Sequence, residues 1–186
     1  MTPAAPSLPP VRRSITVPWT PEAAFRRFTD EIAAWWPLAT HSVAQERAET
    51  VRFESRVGGR ICERASGGEE HVWGTITAWE PPRRVAFTWH PGRDPETAQT
   101  IEVRFAPLGS GTRLELTHAG WEALGEEAKG ARRGYALGWA YVLRLWAGRS
   151  SSALVVTIDL LTWALGPLLR RRARRAAALA AGAAKG

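Results

Sequence analysis

Between residues 49 and 119, apolar and polar side chains alternate, and pairs of Gly or Pro cut the alternation into six short runs. Val51 and Phe53 alternate with Arg52 and Glu54. Gly58-Gly59 leads into a run over 60–65, and Gly67-Gly68 leads into 71–79, which Pro81-Pro82 breaks. Val85, Phe87 and Trp89 alternate with Ala86, Thr88 and His90, and Ile101, Val103 and Phe105 with Glu102 and Arg104. Beyond Gly109-Ser110-Gly111, Leu114, Leu116 and His118 alternate with Arg113, Glu115 and Thr117. A period of two predicts strands with one buried and one wet face. Connections this short favour antiparallel neighbours. The chain must therefore build a one-sided sheet, and that sheet needs a cover.

The cover is predicted over 131–148, where Tyr135, Trp139, Val142 and Trp146 recur at steps of three and four and share one helical face. Before the sheet, residues 11–17 alternate weakly and read as a first strand. Thr20 then caps a helix with Pro21 at its first position. Phe25, Phe28 and Ile32 follow at helical spacing, and Trp35-Trp36-Pro37 closes the segment. The predicted order is strand, helix, six strands, long helix.

Several stretches in this order are similar to the START/SRPBCC superfamily, in the branch related to the activator of the heat-shock-protein-90 ATPase. They are VPWTPEAAFRRFTD at 17–30, Trp35-Trp36, VGGRICE at 57–63, WGTITAWEPPRRVAFTWHP at 73–91, GSGTRLELTHAGW at 109–121 and GWAYVLRLW at 138–146. The resemblance covers roughly residues 11–149. It implies an α+β helix-grip fold, a curved antiparallel sheet wrapped around the long C-terminal helix, with an elongated apolar cavity between them. Superfamily members include lipid carriers, hormone receptors, cyclases and co-chaperone domains, so the fold alone specifies no activity.

The residues expected to line that cavity are Phe53, Trp73, Phe87, Trp89, Val103, Phe105, Leu116 and His118 from the strands. Tyr135, Trp139, Val142 and Trp146 join them from the long helix, and Trp35 from the segment after the first helix. Ten Trp in 186 residues give such a lining its material, and the same rings also serve as ordinary core. His118 continues the inward series of Leu114 and Leu116, so its imidazole points towards the cavity or its mouth. There it could bind a ligand carbonyl or move a proton; the alternative is a hydrogen-bonded histidine that seats Trp121. Glu63 shares a face with Ile61 and points inward on a regular strand, but a bulge after Gly58-Gly59 would turn it to water. His118 and Glu63 are the candidate catalytic groups.

Other chemistries are poorly served. The four histidines (His41, His71, His90 and His118) have no metal-ligand spacing, and dinucleotide, phosphate-loop and Gly-x-Ser-x-Gly motifs are absent. The single cysteine, Cys62, excludes an internal disulfide and has no evident activating neighbour. No metal and no cofactor are expected.

The net charge of +7 is concentrated at one end: within 150–186, Arg170, Arg171, Arg172, Arg174, Arg175 and Lys185 face one acid, Asp159. The body shows no broad basic surface, so nucleic acid is not an expected partner. Residues 153–169 are mostly apolar but shorter than the roughly 20 residues of a spanning helix, and they contain Asp159, Gly166 and Pro167. The tail 150–186 therefore reads as a helix that packs on the body or on a second copy in a homodimer. Alternatively it attaches to a membrane surface through 153–175; disorder or nucleic-acid contact ranks behind both. Residues 1–10 read as a Pro-rich disordered leader without secretory character, which makes the cytoplasm the default location. The functional expectation is a binding, carrier or sensor domain for a small hydrophobic or aromatic ligand held between sheet and helix. The alternatives are a co-chaperone-like or membrane-surface interaction module and a cyclase- or hydrolase-like enzyme using His118.

Overall fold

All six alternating runs and the weaker first one are strands: β1 (Val11–Val17), β2 (Ala48–Phe53), β3 (Arg60–Ala65), β4 (Glu70–Glu80), β5 (Arg84–Trp89), β6 (Gln99–Leu108) and β7 (Gly111–Ala119). In the computed structural model, which describes residues 8–149, they form one antiparallel sheet in the order β1-β7-β6-β5-β4-β3-β2. Five of the six neighbouring pairs are consecutive in sequence. The exception is β1, which pairs with β7 from Val11↔His118 to Val17↔Thr112. The expectations for residues 1–7 and for the tail, its homodimer and membrane-surface readings included, lie outside the described residues. Among the described residues no helix is long and apolar enough to cross a membrane.

The sheet curves around the long helix α3 (Ala128–Trp146), which follows α1 (Pro21–Thr29) and the single turn α2 (Leu38–His41) among the described residues. Helix α3 begins three residues before the predicted start and ends two before the predicted end. Its buried residues include Trp139, Val142 and Trp146, the face that the spacing selects. Inward strand positions are closed to solvent: Val85, Phe87 and Trp89 on β5; Ile101, Val103 and Phe105 on β6; Leu114, Leu116 and His118 on β7. Close strand approach fixes at least one residue type. A Cβ at Gly74 on β4 would overlap the Thr88 carbonyl of β5, so no larger residue fits there without moving the strands.

Helix α1 starts as predicted, with the Thr20 hydroxyl accepting from the Ala23 N–H at 3.3 Å and Pro21 in the first turn. It stops earlier than the spacing suggests. The Thr29 hydroxyl donates back to the Phe25 carbonyl at 2.9 Å, the local competition that weakens helices at Ser and Thr. Ile32 then lies on a separate 3-10 turn, still fully buried. Two further segments have no periodic signal: 38–47, with α2 and a 3-10 turn at Gln45–Arg47, and the 3-10 segment Trp121–Glu127 between β7 and α3.

Candidate functional site

At one end of the sheet, the last inward positions of three adjacent strands are Trp89 on β5, Gln99 on β6 and His118 on β7. Trp89 and Gln99 face each other directly, and His118, opposite Ile101, sits one inward position deeper along the sheet, diagonal to Gln99. Tyr135 and Trp139 reach them from α3, and Trp121 from the 3-10 segment. The His118 ring lies 4.1 Å from the Trp121 ring, 4.7 Å from Tyr135 and 6.2 Å from Trp139. Behind this end the indoles of Trp36, Trp73, Trp89 and Trp139 touch one another at centroid separations of 5.3–6.0 Å, within the range of favourable aromatic pairs.

The hydrogen bonds settle the protonation of this end. Trp139 donates its indole N–H to His118 Nδ1 at 3.0 Å, so a neutral imidazole must carry its proton on Nε2. Burial with no compensating charge pushes the His118 pKa down to about 3. The ring is therefore neutral throughout the physiological range and is a weak base. Its Nε2–H is buried and without a partner among the described residues. Trp89 donates to the Tyr135 hydroxyl at 3.1 Å. Burial raises the Tyr135 pKa, with the Trp89 bond and the charge of Arg93 opposing it, so the phenol keeps its hydrogen. Gln99 donates its amide to the Thr97 carbonyl, which leaves Oε1 facing elsewhere. That oxygen, the Trp121 indole N–H and His90 Nδ1 are also buried without partners. Buried polar groups are normally paired; several orphans gather near this end, and Trp146 Nε1 on the α1 side and His71 Nε2 on β4 are buried without hydrogen-bond partners among the described residues as well.

Glu63 points inward despite a bulge. The register between β3 and β4 shifts after Ile61, with Trp73 as the extra residue on β4, while β3 stays regular against β2 and so keeps Ile61 and Glu63 on the same face. Its carboxylate accepts from the Val43 N–H at 2.8 Å, the Ala44 N–H at 2.7 Å and the Trp73 indole at 2.7 Å. Contacts run from Glu63 through Trp73, Trp89 and Trp139 to His118, so the two candidate groups do not form an acid–base pair. Glu63 anchors the 38–47 segment to β3. Burial raises the Cys62 thiol pKa, and the nearby Glu70 adds to the effect, which leaves the thiol unreactive.

The remaining predicted lining residues divide into two groups. Trp35 packs on Phe28 at 5.4 Å and donates to the Arg27 carbonyl. Phe53, Phe105 and Trp146 gather around the same Phe28 at 5.8–6.4 Å, so these four lie on the α1 side of the core. Phe87 bridges the groups, 5.6 Å from Phe53 and 5.9 Å from Trp89. Val103, Leu116 and Val142 are buried between sheet and helix. Sequence reasoning missed Trp36, the member of the Trp35-Trp36 pair that joins the indole cluster, and also Gln99. The alternation of Ile101, Val103 and Phe105 extends back to Gln99, a signal that was available. Trp121 entered only as a ring for His118 to seat. No group of His, Cys, Asp and Glu among the described residues is placed to hold a metal ion.

Comparison with known proteins adds identity to this geometry. The family described as Activator of Hsp90 ATPase homolog 1-like protein matches residues 18–145. No curated protein matches. Among solved structures, an anthrahydroquino-gamma-pyrone synthase is 39% identical with a TM-score of 0.50, over 67% of this chain and 84% of that one. A self-sacrificing resistance protein, CalC from Micromonospora echinospora, is 27% identical with a TM-score of 0.57, over 76% and 93%. The Aha1 dimer from Colwellia psychrerythraea shares the fold at 16% identity and a TM-score of 0.53, over 77% and 100%. With the family match spanning most of the described residues, and a helix-grip sheet closed over α3, this chain belongs to the Activator of Hsp90 ATPase homolog 1-like family of the SRPBCC superfamily.

Proposed function

We propose that the chain is a binding domain that holds a flat aromatic ligand between the sheet and α3, at the end marked by His118. The observation that carries this reading is the buried, unpartnered Nε2–H of His118, set among the rings of Trp121, Tyr135 and Trp139. Few precisely oriented polar groups within an aromatic lining are what small-molecule sites present. The 39% identical relative is named for chemistry on an anthrahydroquinone-derived ring system, which supports a fused-ring ligand. Native mass spectrometry of freshly purified protein, with thermal shift across a panel of polycyclic aromatic compounds, tests this. A bound mass or a stabilised melt is expected; an empty protein with no shift across the panel overturns it.

A cyclase reading draws support from that relative being a synthase, and from Tyr135 and His118 offering two neutral hydrogen-bond donors side by side. In such a reaction His118 would stabilise developing negative charge on an oxygen; its depressed pKa makes it a poor proton acceptor. The co-chaperone-like reading is supported by the family description alone.

A further inference from the structure

Resting on that reading, we infer that the His118 end of the sheet–helix interior recognises a neutral phenol–carbonyl edge on its aromatic ligand: the carbonyl accepts from His118 and its neighbouring donors, and the phenol donates to Gln99. Each atom's role is fixed by the bond its own side chain already makes. His118 Nδ1 is occupied as an acceptor by Trp139, so Nε2 is a donor. The Tyr135 oxygen already accepts from Trp89, so its hydrogen is the part free to turn. Trp121 Nε1 is a donor by constitution. Gln99 holds its NH2 against the Thr97 carbonyl. Flipping the amide would set two acceptors face to face, so Oε1 is the atom presented. The three donors and one acceptor match a ligand edge rich in acceptors and carrying at least one donor. A carbonyl oxygen with two lone pairs takes two donors, and a phenol accepts one and gives one.

Placement supports the same assignment. Gln99 and His118 are inward residues on adjacent strands. Gly120, with φ +84°, folds the 3-10 segment over the end of β6, where a Cβ would meet Gln99 Cα at 3.5 Å. That fold sets Trp121 over His118. The cation in the neighbourhood, Arg93, is paired with Glu127 at 2.9 Å. With its nearby charge already balanced, the site suits a neutral edge better than a carboxylate, whose uncompensated burial is costly.

Isothermal titration with three probes of one size tests the assignment, at a pH that keeps the phenol protonated: 2-hydroxyanthraquinone, 2-methoxyanthraquinone, which lacks the donor, and 2-hydroxyanthracene, which lacks the carbonyl. Wild type is expected to bind the first about 10-fold more tightly than either of the others, the scale of one buried hydrogen bond left unmade. Gln99→Leu is expected to erase the preference over the methoxy compound and keep the preference over 2-hydroxyanthracene. Tyr135→Phe, which keeps the ring, is expected to narrow the latter. Equal affinities for the three probes in wild type overturn the inference and leave aromatic binding standing. Absence of binding to all three overturns both. A folded Gln99→Leu protein, checked by its melting transition, that retains the full hydroxyl preference also overturns it; if that variant does not fold, the wild-type probe series decides.

Discussion

His118 stores a pH response in a single ring. Its pKa falls from 6.5 to about 3 because burial penalises the charged form. Between those values the unfolded chain binds the proton and the folded chain does not, so unfolding takes up a proton and stability rises with pH. The contribution is complete above pH 6.5 and is lost as pH falls towards 3, a swing of roughly 4 kcal/mol. Glu54, held at about 2 by its bonds to Arg60, and Glu70 and Glu102, lowered by their arginine partners, lose their stabilisation only below the ordinary carboxylate range. The response of His118 is therefore sought between pH 6.5 and 4.5, above the range where these three carboxylates act. Urea unfolding at stepped pH is expected to show a rising slope there in wild type and a flatter one in His118→Gln, which keeps an acceptor for Trp139 but cannot titrate. Equal slopes would contradict a neutral buried ring.

At the scale of elements, the strands were legible because every inward position is paid for by burial, and burial imposes a period of two that no turn disguises. Helix α3 was legible for the same reason at its own period. Segments 38–47 and 121–127 were illegible because distant groups determine their shape. Val43 and Ala44 owe their position to a carboxylate 20 and 19 residues away, and Gln45 holds φ +56°, a conformation rarely taken by residues other than Gly. Most of the candidate site was readable on this account: Trp73, Trp89, His118, Tyr135 and Trp139 sit on regular elements, as does Gln99, a polar residue at the inward start of β6 that apolar alternation alone does not select. Trp36 follows a helix that ends early, and Trp121 lies on the irregular segment. The Glu63 anchor has a direct test. Glu63→Gln places an amide NH2 against donors that expect an oxygen, and should cost about 2–4 kcal/mol in urea unfolding. If Glu63 is only an anchor, the folded fraction should keep the wild-type ranking of the three anthracene-derived probes.

For the whole molecule, the stop after α3 is built into the backbone. Ala147 and Gly148 donate to the Leu143 and Leu145 carbonyls, and Gly148 adopts φ +65°, the left-handed turn that ends helices. Arg149 then reaches across to the Thr16 carbonyl at 2.9 Å. We propose on these grounds that the helix-grip body ends at residue 149. A chain truncated after Arg149 is expected to keep a single cooperative melting transition and the same probe preference; loss of cooperative melting would place the boundary later. The truncation also removes five of the seven net positive charges, so a lower isoelectric point is expected without any change in the probe preference.

The pairing of β1 with β7 has a consequence during synthesis. Arg12 and Thr117, which meet across it at 3.3 Å, are 105 residues apart in the chain. At translation rates of about 5–20 residues per second, the first strand waits roughly 5–20 s for its partner to be made. The strand position of the histidine opposite Val11 is completed in that same closing step, so a ribosome-bound nascent chain should form the β1–β7 edge last, after the rest of the sheet has had time to zip from its other edge.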